Sequence, residues 1–314
     1  MNYLKLLSLV FMFFPSHIKA SCNQQQQTRQ RLFVDILSSR TNGEIRELKK
    51  YSQYGAEKIS GKLGFESLFR PGLESEVSFT YLKSKGSSPR PVVIILSPLG
   101  GSNPLDSWIA HNLARYGISS ITSYYQADGA GTSLDKTFQD TGENLQAQMT
   151  ITDWLVQQPE VDIERIGIIG ISFGGIRGSF LMGIDSRLKK AALVVTGGGL
   201  ADIMATSQLA DVVKLREKHL EEEAIDNLES YKDVFRKSQK VTMWDFLCER
   251  KSEDFLLFLD TKDTSVPTST QKMLQEKLGG PQTYWSSRGH IGAAMSFGLS
   301  KVKKVAQFML IDSL

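Results

Sequence analysis

The apolar positions of this chain gather in short unbroken runs, separated by stretches in which they recur at helical spacing. Val92–Leu96 reads Val-Val-Ile-Ile-Leu, and residues 118–124, 166–172, 191–196 and 255–259 repeat the form. Runs of this length, rich in β-branched side chains, suit strands buried on both faces of a parallel sheet. Between them, Asp106–Tyr116 (closed by Gly117), Thr141–Gln158 and Ser269–Leu278 read as helices. The regular alternation predicts βαβ units and a parallel sheet, and so an α/β fold. Glu76–Tyr81 alternates as an edge strand would, Thr283–Ser286 suits a short last strand, and residues 291–311 suit a terminal helix.

Two regions break the alternation. Gln30–Leu37 and Ile45–Leu63 read as helical pieces of mixed charge lying outside the sheet. From Leu200 to about Asp254 there is no strand-like run; Leu209, Val212 and Val213, then Ile225, Leu228, Tyr231 and Phe235, keep helical spacing among many charges. This predicts a helical cap at about 200–254. Its charge run Lys214–Glu223, which includes His219, reads as a solvated helix face.

The first residues carry a different signal. Leu6–Phe14 is apolar apart from Ser8 and follows a single Lys5. Such a stretch is too short to span a bilayer but suits the core of a signal peptide. Residues 1–21 are therefore expected to be a signal peptide and the protein to be exported: periplasmic, secreted or lipid-anchored. Cleavage after Ala20 is one reading. The other takes Ala20-Ser21-Cys22 as the end of a lipoprotein signal with a lipid anchor on Cys22, although Lys19 stands where such signals carry Leu. Residues 22–74 then form a polar tether and helical segment, and residues 75–314 one α/β domain carrying the cap. A length of 314 residues and a hydrophobic content of 41% suit such a domain. The net charge of +3 is nearly balanced, and no Lys/Arg run with interleaved aromatics points to nucleic acid. Cys22 and Cys248 are the only cysteines; they lack metal-site spacing, and either one bridge between them or a buried thiol at 248 fits.

The chemistry centres on Gly170-Ile171-Ser172-Phe173-Gly174, at the end of one apolar run and the head of a helix. A serine on so sharp a turn stands clear of the sheet, with the positive end of the helix behind it. A hydroxyl is a weak nucleophile at neutral pH and needs a base, itself oriented by an acid. Of four histidines, His17 falls in the signal segment, His111 inside an early helix and His219 in the cap. His290 remains, directly after a strand and at the head of the last helix. Asp263, in the loop after the 255–259 run, is the best-placed acid, with Asp260 and Asp202 as alternatives. For the oxyanion, the backbone N–H of Phe173 is one expected donor. The second comes from the Ser97–Gly101 loop; Pro98 has no N–H, so Leu99 is favoured, with Gly100 behind it.

With these residues placed, residues 75–310 resemble the α/β-hydrolase superfamily, in particular its dienelactone-hydrolase-like and small serine esterase members. The resemblance rests on Gly170–Gly174, on Asp263-Thr264-Ser265-Val266-Pro267 and on Gly289-His290. Ser97-Pro98 replaces the His-Gly pair common in that superfamily, and Asp260 stands where glycine is common. The resemblance implies the α/β-hydrolase fold, a twisted, mostly parallel sheet flanked by helices with residues 200–254 as a cap. With the triad it implies a serine hydrolase, foremost a carboxylesterase, acting through an acyl-enzyme on a small-molecule acyl substrate without cofactor or metal. Peptidase or acyltransferase chemistry uses the same triad, and a binding protein with a degenerate site is the non-catalytic alternative. Trp244, Phe246, Met243 and Tyr231 could wall an acyl pocket with Met204 and Leu209 at its mouth, or simply pack the cap. Tyr124, Tyr125 and the 129–133 loop are expected at the rim.

Overall fold

The computed structural model describes residues 23–40, 43–53, 56–86, 89–99, 101, 103–125, 133–239 and 241–310. The signal-peptide and lipid-anchor readings, and the 129–132 part of the expected rim, lie outside them. Nine strands make one sheet: β1 (Glu44–Gln53), β2 (Ala56–Glu66), β3 (Glu74–Lys83), β4 (Arg90–Leu96), β5 (Ser119–Tyr124), β6 (Val161–Ile171), β7 (Leu188–Val194), β8 (Phe255–Asp260) and β9 (Gln282–Ser286). Their order is β1-β2-β3-β5-β4-β6-β7-β8-β9. The first three and β5 pair antiparallel, and every pairing from β5 through β4 to β9 is parallel.

The helices are α1 (Gln24–Ser38), α2 (Pro104–Ala114), α3 (Leu134–Val156), α4 (Phe173–Ile184), α5 (Leu200–Thr206), α6 (Ala210–Glu222), α7 (Leu228–Ser238), α8 (Trp244–Leu247), α9 (Thr268–Lys277), α10 (Gly289–Met295) and α11 (Leu299–Leu310). The central strands alternate between two cores. Val92, Ile94, Leu96, Ile166 and Ile168 point to the side of α3, α4 and the cap. Val93, Ile95, Ile169 and Ile171 point to the side of α2 and α11. The unbroken apolar runs exist because both faces are covered.

The N-terminal region departs from expectation. Residues 45–53 and 56–63 are not helical; they belong to the antiparallel pair β1–β2, which extends the sheet beyond β3. Ile59, Leu63 and Phe65 are buried at alternate positions, whereas β1 is exposed and carries Lys49 and Lys50. A charged outer strand discourages pairing with a further chain. The Gln24–Gln27 run is not a free tether either. Asn23 caps α1 by accepting from Gln26 N, and Gln26 returns the bond to Asn23 N. Leu37 of α1 is fully buried, and the Phe33 ring lies 6.0 Å from Phe69 and 5.5 Å from Phe246. The expected terminal helix is two helices, α10 and α11, separated at residues 296–298.

The cap, α5–α8, lies between β7 and β8 in the chain, as its spacing predicted. His219 is no solvated residue. It is fully buried, with Nδ1 at 2.9 Å from Tyr231 Oη and Nε2 at 3.1 Å from Thr137 Oγ1. Burial holds its pKa below the usual 6.5, against the opposing pull of Glu222 and Glu223. The sign follows from linkage. The unfolded chain binds a proton near pH 6.5 that the folded cap resists, so stability from neutral His219 is full above that pH and lost as pH falls below it. His219→Gln, which retains hydrogen-bonding groups but does not titrate, should flatten this loss; urea midpoints at pH 7.5 and pH 5 for both proteins measure it.

Candidate active site

The sheet ends β6 at Ile171 and α4 starts at Phe173, leaving Ser172 to turn the chain alone at φ 54°, ψ −120°. An L-residue held there is strained. Its N–H is fixed by Val194 O at 2.8 Å, and neighbouring backbone closes round it. A Cβ on Gly174 would run into the carbonyls of Leu96 and Ser97, so only glycine lets α4 approach β4. The side chain of Ser172 emerges at the carboxyl end of the parallel strands.

The three residues expected to act together meet there. His290 Nε2 lies 2.9 Å from Ser172 Oγ, and His290 Nδ1 lies 2.7 Å from Asp263 Oδ2. Asp263 is buried; its Oδ1 accepts from the N–H groups of Ser265 and Val266, both at 2.9 Å. The two alternative acids do other work. Asp202, at the head of α5, pairs with Lys232 at 2.6 Å and with Arg236 at 3.3 Å. Asp260 spends its carboxylate elsewhere and ties the loop that carries Asp263 to the loop that leads into His290. It accepts from Lys262 N at 2.8 Å, Ser286 Oγ at 2.7 Å, Arg288 N at 2.7 Å and Gly289 N at 3.0 Å. Burial pushes its pKa up, but these hydrogen bonds outweigh burial and hold it below 3.8.

Gln271, on α9, is a residue that motif reading did not find. Its Nε2 donates to Asp263 Oδ2 at 2.9 Å and to Val266 O at 2.8 Å, while its Oε1 accepts from Asp260 N at 2.9 Å. A fully buried glutamine with all these groups paired fixes both aspartates at once. No motif spacing marks it: it is the fourth residue of α9, beyond the loop it binds.

The oxyanion candidates stand on two facing segments. Phe173 opens α4, so the helix itself supplies no partner for its N–H. Leu99 sits in a turn closed by Gly101 N donating to Pro98 O at 3.2 Å, and borders the same cleft as Ser172 and His290. That turn is held from below. Arg177 Nη2 donates to Ser97 O at 2.5 Å and its Nη1 to Asn144 Oδ1 at 3.0 Å. Ser97 Oγ and Asn103 N both donate to the buried Asp106, at 2.7 and 3.0 Å. Burial lowers the Arg177 pKa to about 10, with Asp106 opposing, and raises that of Asp106. The Arg177 guanidinium also lies 5.3 Å from the centre of the Phe173 ring, so one cation braces both oxyanion segments.

The cleft over Ser172 has a volume of about 690 Å³. Of the cap residues expected to wall it, Leu209 alone lines it. Tyr231, Met243, Phe246 and Met204 are buried in the core that the cap shares with the sheet, and Trp244 faces a smaller cavity beside Gly199 and Arg236. Tyr125 is buried and donates to Glu143 at 2.7 Å, so it forms no rim. The exposed Tyr124 ring instead lies against Gly101. Among the described residues, no three His, Cys, Asp or Glu side chains gather as a metal site, and no helix is long and apolar enough to cross a membrane.

Replacing Asp260 by Asn sets an amide N–H₂ against backbone donors that the carboxylate now satisfies. Asp260→Asn should cost about 2–4 kcal/mol of stability at neutral pH, measured by urea denaturation, with the deficit shrinking as pH falls towards and below 3.8, where the wild-type carboxylate protonates.

Comparison with known proteins narrows the family. A model of the prolyl oligopeptidase family matches residues 123–309, more than half of the chain. Two curated relatives, both Esterase FrsA of Vibrio vulnificus (strains YJ016 and CMCP6), are 25% identical over 223 residues. These residues are 69% of this chain and 48% of theirs, so the chain spans about half the length of the curated relatives it matches. Among solved structures, acetyl xylan esterase 1 from Thermoanaerobacterium sp. JW/SL YS485 superposes with a TM-score of 0.66 at 15% identity, covering 93% of this chain and 94% of that one. An acetyl xylan esterase from Paenibacillus sp. R4 gives 0.69 at 15%, covering 91% and 95%. At that identity the likeness shows a common fold alone, a mostly parallel sheet between helices. The chain belongs to the prolyl oligopeptidase family of the α/β-hydrolase superfamily.

Proposed function

We propose that the protein is a serine hydrolase of carboxylic esters that works through an acyl-enzyme. The observation that carries this reading is the continuous hydrogen-bonded line from Asp263 through His290 to Ser172. Ser172 Oγ attacks the ester carbonyl carbon while its proton passes to His290 Nε2, and Asp263 steadies the imidazolium through Nδ1–H. The carbonyl oxygen, now an oxyanion, is received by the N–H groups of Phe173 and Leu99. Collapse breaks the bond to the alcohol, which leaves with the proton from Nε2. Water, deprotonated by His290, then attacks the acyl-enzyme; the acid departs and Ser172 regains its proton.

Ester rather than peptide chemistry is supported by the curated relatives, which are named esterases. It is supported also by the cleft lining, in which no described side chain carries a formal charge. A peptide with a free amino terminus would find no carboxylate there to receive its ammonium. Export is proposed from the apolar Leu6–Phe14 stretch and from the disulfide at Cys248, a bond at home in an oxidising compartment. A Cys22 sulfur used in an intrachain bridge would be closed to lipidation.

The purified protein should hydrolyse p-nitrophenyl butyrate, and Ser172→Ala should lower kcat by at least about 10⁴-fold with an unchanged melting temperature. A fluorophosphonate should modify the wild type, with the adduct mapping to Ser172. Equal labelling of the Ser172→Ala protein, or its retention of wild-type turnover, would remove the serine mechanism.

A further inference from the structure

The cleft over Ser172 continues outward as a groove between α2 and α10. Leu105 and Trp108 form one wall, and Ile291 and Met295 the other, over a floor that includes Phe297. The outer parts of these walls are bare. Ile291 is 74% exposed, Met295 67%, Leu99 46% and Trp108 36%. These are large apolar side chains on elements already anchored from beneath, α2 through Ile109 and Leu113 and α10 through Ala293. Polar residues would hold the same elements in place, and solvent would favour them.

Ile291 and Met295 are four residues apart and share one face of α10, one residue beyond the imidazole at its near end. Leu299, four residues after Met295 at the start of α11, is 58% exposed as well. A grouped exposed apolar surface marks a binding site more often than chance exposure does. Here it runs continuously from the serine hydroxyl outward. The polar atoms available in the groove are few. Asn103 spends its side-chain oxygen capping α2, accepting from Leu105 N at 2.9 Å, and Ser172 and His290 are engaged with each other. A sugar would leave most of its hydroxyls unpaired against such walls, at a cost for each. A hydrocarbon chain leaves none.

We propose that this groove holds the acyl chain, and that the enzyme acts on esters of uncharged aliphatic acids longer than acetate. This deepens the ester-hydrolase reading of the same site and rests on it. The Ser172 end receives the carbonyl carbon, and the chain lies between Trp108 and the Ile291–Met295 face. Each methylene fully buried there raises kcat/KM by up to about four-fold.

The test is a series of p-nitrophenyl acetate, butyrate, hexanoate and octanoate, each below its solubility limit, with the wild-type protein. The expected result is a rise in kcat/KM of at least about ten-fold from acetate to hexanoate. Met295→Glu and Ile291→Asp lie at exposed positions where folding tolerates charge, and should cut the hexanoate-to-acetate ratio by about ten-fold or more. A maximum on acetate in the wild type overturns the assignment. So does a ratio unmoved in both variants, or a rate that follows alcohol length instead, measured with ethyl to octyl acetates. Failure of the underlying reading looks different: no ester in either series is turned over and fluorophosphonate leaves Ser172 unmodified.

Discussion

A serine held at φ 54° is the constraint on which the rest of the site depends. That conformation costs about 1–3 kcal/mol for a residue with a side chain, and nothing within Ser172 repays it. It persists because β6 and α4 are fixed independently. The strand lies between β4 and β7 in the parallel half of the sheet, and the helix packs into the core through Ile176, Phe180 and Leu181. Gly174 lets the helix come close enough to β4 for that packing. The strain is thus supported by burial of both flanking elements, and in exchange the hydroxyl projects where the His290 loop can meet it.

That meeting is a second problem, since His290 and Asp263 arrive on separate loops after β9 and β8. The solution divides labour between two carboxylates. Asp263 faces the imidazole, while Asp260 spends its oxygens on backbone donors and so sets the distance between the loops. Gln271 couples them through one amide. Where glycine is common in the superfamily at position 260, this chain uses a buried charge, stabilised by four donors that would otherwise need other partners. The facing turn at Ser97–Gly101 is treated alike: Arg177 and Asp106 hold it from inside, a buried cation and carboxylate each braced by hydrogen bonds.

Much of this was legible because the relevant signals are local. The unbroken runs at 92–96, 166–171 and 255–259 announce doubly covered strands, and the Gly170–Gly174 turn and the single well-placed histidine after β9 follow from chain order. The failures have physical causes. Ile45, Leu48 and Tyr51 are three apart and mimic a helix, yet all three lie exposed on β1 and report nothing about its partner. The informative signal was the two-residue alternation of Ile59, Gly61, Leu63 and Phe65 in β2. His219 looked solvated because its neighbours in sequence are charged; what buries it, Tyr231 and Phe235, arrives from α7. Arg177 belongs to no motif, since Ser97 O and Asn144 Oδ1 come from other segments; Asp106 reads only as part of a helix cap, and Gln271 only as a helix residue, until their bonds to Ser97 and Asp263 are seen.

Of the two readings of the cap aromatics, acyl wall or packing, the fold favours packing, and this bears on specificity. Aromatic residues in a cap look available for substrate when only their spacing is known. In the fold, α8 lies on α1 and α4, where Phe246 meets Phe33 and Phe180, and the cap's aromatics are spent on holding it to the domain. Among the described cap residues only Leu209 reaches the cleft, although Ser207 Oγ and Gln208 N bind the Ser265 and Thr264 carbonyls and so moor the cap to the Asp263 loop. The surfaces left to touch substrate are α2 and α10, which lie on the opposite side of the sheet from α3 and α4. Side chains there can change without disturbing either aspartate, the strained turn or the cap core. His290 stands on α10 itself, so variation in the groove is confined to side chains that leave that helix's backbone in place.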